Sequence, residues 1–152
     1  MSLRWARLLL TVLAWPRVAP AQQVRELGVQ AIGTASDPAL AVAGVYAALR
    51  PSTRFRVSLG AGAGTSDEDT AWRGELLAHF LLSPRARRGV GGYAAGGVAA
   101  VGGPRDEGYL VLLLGAETRP GAASGWFAEA GVGGGVRVAV GFRQRWMRRP
   151  LR

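Results

Sequence analysis

His79, the single histidine of the chain, is the side chain best suited to transfer protons near neutral pH. A hydrolase would need a serine and a carboxylate within hydrogen-bond reach of it. Glu75 falls on the same strand face but about 13 Å away at ~3.3 Å per residue, and Ser83 falls in a turn. Partners from other strands stay open, but we expect no catalytic residue and no enzymatic activity.

Nucleotide and metal sites are not expected either. The glycine-rich segments 60–64 and 131–135 have the composition of phosphate-binding loops without a strand-loop-helix setting, and the chain has no Lys for a Walker motif. One His and no Cys argue against a dedicated transition-metal site. The acidic segment 67–69 could attract a divalent cation, but we expect it to be solvated. The sequence therefore predicts no cofactor.

The formal net charge of +9 raises the question of nucleic-acid binding. The arginines are dispersed, however, with some near each end of the chain and others in turns or alternating along predicted strands. No helix-turn-helix, zinc finger or aromatic-basic platform accompanies them. We expect no nucleic-acid partner.

Residues 1–21 are predicted to be a signal peptide. A basic start is followed by a short apolar stretch at 8–15, and small residues at Ala19 and Ala21 precede the expected cleavage after Ala21. The apolar stretch is well short of the ~20 residues that a membrane-spanning helix needs, which argues against an N-terminal anchor.

Turn-forming residues then recur about every 15 residues, a spacing typical of repeated hairpins. The clusters lie at 35–38, 50–53, 65–69, 83–88, 102–108, 119–124 and 133–135. Seven connections imply eight strands. Alternate turns are basic with proline or largely acidic, and we expect the basic set on the periplasmic side and the acidic set outside. For 89–103 a small-residue transmembrane helix is the alternative, since Gly92 and Gly96 have GxxxG spacing, but the segment is too short and too rich in glycine.

The segments between these turns alternate in polarity, as strands with two different faces do. In 54–64, Phe55, Val57 and Leu59 point one way, and Arg54 and Arg56 point the other. A soluble barrel could alternate in the same manner. The polar face, however, combines glycine and alanine with a few large charged side chains, which suits the narrow interior of a small membrane barrel.

Charged side chains on this face are predicted to fill the lumen as an Arg/Glu network, because unpaired buried charges are costly. The predicted interior set is Arg54, Arg56, Arg73, Glu75, His79, Glu117, Glu129, Arg137, Arg143 and Arg145. The functional alternative is a narrow, porin-like pore that favours anions.

Aromatic residues lie near strand ends on the apolar face, where a girdle would meet lipid headgroups. The predicted girdle is Trp72, Phe80, Trp126, Phe142 and Trp146. The sequence thus predicts an all-β fold, an eight-stranded antiparallel up-and-down transmembrane barrel over residues 22–147, followed by a short basic tail at 148–152.

In this pattern the chain resembles the small outer-membrane β-barrel proteins, the OmpA/OmpX-like transmembrane domains. In that family the last strand ends in an aromatic residue that the assembly machinery recognises, and 136–146, which ends at Trp146, is similar to such a strand. The tail at 148–152 departs from the pattern. The resemblance implies a place in the bacterial outer membrane, with outer-membrane lipid and the assembly machinery as partners. A monomer is expected, although the sequence does not determine the oligomeric state.

The expected function is therefore that of a non-enzymatic outer-membrane barrel with a structural or surface-interactive role. A soluble periplasmic barrel that binds an apolar ligand, in the manner of lipocalins, is the alternative. It requires the face of Phe55, Val57 and Leu59 to point inward and the face of Arg54 and Arg56 to meet water.

Overall fold

The computed structural model describes residues 24–104 and 106–147, so the predicted signal peptide and basic tail lie outside the described residues. The described chain forms eight strands. Their bounds are β1 Val24–Ala35, β2 Leu40–Arg50, β3 Phe55–Ser66, β4 Asp69–Leu81, β5 Val90–Gly102, β6 Glu107–Thr118, β7 Ser124–Val132 and β8 Val136–Met147.

Each strand pairs with its sequence neighbours, and β1 pairs with β8 to close the ring. All pairs are antiparallel. The predicted eight-stranded up-and-down barrel is therefore confirmed, and the seven connections fall at the predicted turn clusters. Residues 90–102 are β5, so the alternative of a transmembrane helix there is wrong.

The apolar side chains face outward and the large polar ones inward. Phe55, Leu76 and Val138 are 50%, 49% and 54% exposed, whereas Arg56 is 4% and Arg137 0% exposed. A soluble barrel would leave this apolar wall in water. The lipocalin-like alternative is wrong on this point, because the face it requires inside is the outer face.

Glycines accommodate the rings of the larger aromatic residues across strand pairs. Tyr93 lies opposite Gly115 in the β5/β6 register, and a Cβ at Gly115 would collide with its ring. Tyr46 has the same relation to Gly28 across β1 and β2. A missing side chain on one strand thus makes room for a ring from the next, which lets a narrow interior hold large residues.

The aromatic residues of the outer face are distributed unevenly between the two ends. Trp126 and Phe142 pair across β7 and β8 with ring centroids 5.3 Å apart, near the end where the described chain begins and ends. Trp146 lies at the same end. Phe80 and Phe55 also pack together there, with ring centroids 5.5 Å apart. Trp72 alone of the predicted girdle lies toward the other end. Phe55, which was not in the predicted girdle, is an exposed aromatic residue at the same end.

The connections at the end away from the chain ends are short. They comprise residues 36–39, 67–68, 103–106 and 133–135. The turn at 67–68 has positive φ at both residues, 50° for Asp67 and 72° for Glu68, the geometry of the tight hairpin turns that match strand twist. The other end carries 51–54, 82–89 and 119–123. Among the described residues, no helix has the length and apolar character to span a membrane.

Candidate functional site: the charged interior of the barrel

The charged side chains inside the barrel form two groups. The central cluster comprises Arg73, Glu75, Glu129 and Arg137, and its Arg73 also donates to the carbonyl oxygen of Gly133 at 3.2 Å. The terminal cluster, toward the end that holds the chain ends, comprises Glu26, Arg50, Arg56, Glu117, Arg143 and Arg145. Alternation along seven strands brings these side chains together, since inward positions recur at every second residue.

The central cluster pairs two guanidinium groups with two carboxylates. Arg73 Nε donates to Glu75 Oε1 at 2.7 Å, and Arg137 donates to both oxygens of Glu75 at 2.9 and 2.8 Å. Arg137 Nη1 also reaches Glu129 Oε2 at 2.9 Å. The Tyr93 hydroxyl donates to the other Glu129 oxygen at 2.8 Å. The charges balance, and both carboxylates have partners on each oxygen.

The terminal cluster is held by two carboxylates that each bind several arginines. Glu26 Oε1 accepts from Arg50 Nε and Arg145 Nε, both at 2.6 Å. Glu117 Oε2 accepts from Arg143 Nη1 and from Arg56 Nη1, the latter at 3.0 Å. Arg56 therefore links the two carboxylates, since its Nη1 also lies 3.5 Å from Glu26 Oε2.

Cations outnumber carboxylates in the terminal cluster by four to two. Four of its buried guanidinium nitrogens have no hydrogen-bond partner within the described part of the chain: Arg50 Nη2, Arg56 Nε, Arg143 Nε and Arg145 Nη2. A buried polar group without a partner carries a desolvation cost. The terminal cluster is thus the electropositive and less satisfied end of the interior.

Two arginines of this cluster also close the mouth of the barrel. Arg143 Nη2 donates to the carbonyl oxygens of Thr118 and Arg119 at 3.0 and 3.2 Å. Arg145 Nη1 donates to the carbonyls of Pro120 and Ala122, the latter at 3.2 Å. These hydrogen bonds hold the turn at 119–123 across the open end of the barrel, and Pro120 is almost fully buried.

His79 forms a hydrogen-bonded pair with Ser58, which is the geometry of a nucleophile and its base. Ser58 Oγ lies 2.8 Å from His79 Nε2, and Arg56 Nη2 lies 3.0 Å from His79 Nδ1. Because a guanidinium can only donate, Nδ1 must accept and Nε2 must carry the proton. His79 therefore donates to Ser58 and cannot take its proton, so the pair lacks the tautomer of a catalytic dyad.

A small polar cavity lies beside this pair. Its volume is about 20 Å³, and its walls include Gln30, Ser58, Glu75 and Glu129. A space of this size and polarity suits one water molecule. It offers no room for an organic substrate.

Not every predicted interior residue lies in the lumen. Arg54 is exposed in the turn before β3, which begins at Phe55, so the prediction for Arg54 is wrong. In the sequence the alternation that includes Arg56 continues to Arg54, but β3 begins only at Phe55 and Arg54 lies outside the barrel wall. The remaining predicted residues are buried inside: Arg56, Arg73, Glu75, His79, Glu117, Glu129, Arg137, Arg143 and Arg145.

Interior residues that were missed include Glu26, Arg50 and Tyr93. Glu26 is 1% exposed and shares its alternation with Gly28 and Gln30, so the signal was present in the sequence. Arg50 was assigned to a turn but ends β2 with its side chain buried. Tyr93 lies among small residues on both faces of β5, which gave no direction. Within 24–104 and 106–147, no group of three or more His, Cys, Asp or Glu side chains could hold a metal ion.

The arrangement defines a class, an eight-stranded barrel with an apolar outer wall and an ionic core. No protein-family model and no curated protein matches the chain. Seven chains of solved structures match it, among them two outer-membrane barrels. One is the N-terminal β-barrel domain of OprF from Pseudomonas aeruginosa, with a TM-score of 0.64, 13% identity, and 82% of this chain and 100% of that chain covered. The other is Neisserial surface protein A, with a TM-score of 0.55, 11% identity, and 83% and 98% covered. At these identities the likeness shows the fold.

Proposed function

We propose that the protein is a non-enzymatic structural barrel of the bacterial outer membrane. The observation that carries this proposal is that the closed barrel has its apolar side chains on the outside and its charged side chains on the inside, the reverse of a water-soluble barrel. Leu110, Leu112 and Leu114 are 80%, 65% and 71% exposed on the outer wall, while the intervening Val111 and Leu113 are 0% and 4% exposed. Such a wall is stable only where the surrounding medium is itself apolar.

Strand length supports the same proposal. Most strands have 11 to 13 residues. At ~3.3 Å per residue and a tilt of about 40°, 12 residues rise roughly 30 Å, the thickness of a bilayer's hydrocarbon core. Closure also matters, because a closed ring leaves no unpaired strand edge in lipid.

The interior supports a structural role rather than transport. Ion pairs in both clusters cross the barrel, from β3 to β6 and from β4 to β8, the turn at 119–123 covers one mouth, and the cavity between the clusters is about 20 Å³. We assign these charges to holding the walls together around a filled lumen. The short connections at 36–39, 67–68, 103–106 and 133–135 offer little surface for a large receptor.

Lipid is the proposed main partner, and the assembly machinery is a transient one that would recognise the last strand through Trp146. The girdle residues at the end with the chain ends would lie at the periplasmic interface. The basic set of turns would face the periplasm and the acidic set the outside.

Fractionation of cells that express the full chain tests this proposal. We expect the protein in the outer-membrane fraction, migrating as a compact band on gels unless it is boiled. Release with the soluble periplasmic contents, or migration unaffected by boiling, would reject it.

A further inference from the structure

The outer wall of the barrel is not uniform, because an apolar groove runs along β2. Ala47 forms its floor, and the register places Leu27 on β1 and Leu59 on β3 directly at its sides. Two grooves of about 760 and 670 Å³ share these three residues and are therefore continuous. We call this feature the β2 groove.

Two polar side chains border the β2 groove, one at its end and one at the level of its floor. Arg25 is exposed on the outer face and pairs with Leu49 on β2 and Trp146 on β8. Gln144 is exposed on β8 beside Leu27, level with Ala47 and separated from it by β1. The two lie on a diagonal of neighbouring strands, about 7 Å apart by ordinary sheet geometry. They interrupt an otherwise apolar wall at the end where the girdle lies.

The groove fits within the depth of one leaflet of a bilayer. From Leu49 to Val45 the floor extends about 13 Å along the strand at ~3.3 Å per residue, which is about 10 Å of depth at a tilt of about 40°, and half of a hydrocarbon core is ~15 Å thick. An acyl chain that lies along Ala47 would bring its headgroup to Arg25. The cation would then meet a phosphate at the depth where Trp146 marks the interface.

We propose that the β2 groove is a binding site for one anionic phospholipid of the periplasmic leaflet. Its phosphate pairs with Arg25, its ester region accepts a hydrogen bond from Gln144, and one acyl chain occupies the groove over Ala47. The site rests on the proposed membrane location, but it concerns a bound lipid that is retained in place rather than the bulk bilayer.

Native mass spectrometry of the barrel in mild non-ionic detergent, with added dipalmitoyl phosphatidylglycerol, tests the site. We expect one retained lipid per barrel. Arg25→Gln should weaken retention on the order of fivefold, because it removes one cation near a phosphate. Ala47→Leu should abolish retention by filling the floor.

Matched controls are available on the same barrel. Arg87→Gln removes an exposed arginine in the 82–89 connection, and Ala128→Leu enlarges an exposed alanine on β7. Both should retain lipid as the wild type does. Diacylglycerol with the same chains should bind more weakly, and inorganic phosphate should not compete.

Equal retention by the wild type and Arg25→Gln, in variants that still show the compact unboiled band, would overturn the site. A dimer that replaces the lipid-bound monomer would overturn it too, since a second copy would then occupy the groove. Either result leaves the membrane location intact if the protein fractionates with the outer membrane, whereas a water-soluble barrel would remove the location itself.

Discussion

Replacing Glu75 by glutamine should be among the most damaging isosteric changes that this barrel can suffer. Glu75 accepts one hydrogen bond from Arg73 at 2.7 Å and two from Arg137 at 2.9 and 2.8 Å, with both arginines almost fully buried. Glutamine keeps the shape but removes the charge and turns an NH₂ group toward guanidinium donors. The central cluster would change from neutral to a net charge of +1.

The expected loss follows from the burial of the cluster. Removing one partner of a buried ion pair costs about 3 to 5 kcal/mol because the remaining charge stays desolvated. At about 1.4 kcal/mol per tenfold, the unfolding equilibrium constant of Glu75→Gln should rise roughly 10²- to 10⁴-fold. Urea titration of the barrel refolded into lipid vesicles, followed by tryptophan fluorescence, measures this change.

Glu68→Gln is the matched control, because Glu68 is exposed in the 67–68 turn. It should alter the free energy of unfolding by no more than about 0.5 kcal/mol, as surface substitutions do. If Glu75→Gln also costs less than about 1 kcal/mol, the ionic core does not stabilise the barrel as described.

Further predictions compare substitutions that should destabilise the barrel with matched substitutions that should not. Arg56→Gln should cost about 1 to 3 kcal/mol, since it removes donors to Glu117 and His79, whereas Arg54→Gln should be neutral. Gly97→Ala should lower the free energy of unfolding by at least about 1 to 3 kcal/mol, because the added Cβ would overlap the β4 backbone. Gly108→Ala should have little effect, because the Cβ there meets only ordinary contacts. Urea titration measures all four. In planar bilayers the folded wild type should show no steady conductance, since ionic clusters fill its lumen.

These predictions have clear contrary results. Equal losses in the free energy of unfolding for Arg54→Gln and Arg56→Gln would indicate that Arg54 also lies in the interior. Equal tolerance of alanine at positions 97 and 108 would mean that the strands are not as closely apposed at Gly97. Reproducible current steps from protein with the compact unboiled band would favour the anion pore.

The fold could be predicted because its signals are local. Turn residues and period-two alternation mark each strand of a hairpin barrel, and Phe55 to Leu59 shows both faces within five residues. Strand ends are harder, because they depend on where the wall stops. Arg50 and Arg54 illustrate this: the first was assigned to a turn and the second to the wall, and the structure reverses both.

The interior partners could be predicted by type but not by pairing. Alternation indicates that Glu117 and Arg143 face inward, yet which charges meet depends on how strands far apart in sequence are staggered around the ring. Ser58 and His79, 21 residues apart, come within 2.8 Å by the register of β3 and β4. The tautomer in which His79 donates to Ser58 depends on Arg56, and no sequence pattern predicts the contact between Arg56 and His79.

Single cysteines at Leu114 and Leu113 test the central claim most directly, because the chain has no cysteine of its own. Leu114 is 71% exposed and Leu113 4% exposed on adjacent positions of β6. With spin labels in vesicle-embedded protein, position 114 should be reached readily by oxygen and poorly by a water-soluble nickel chelate, and position 113 poorly by both. Greater access of the nickel reagent than of oxygen at position 114 would show a water-facing wall and contradict the account.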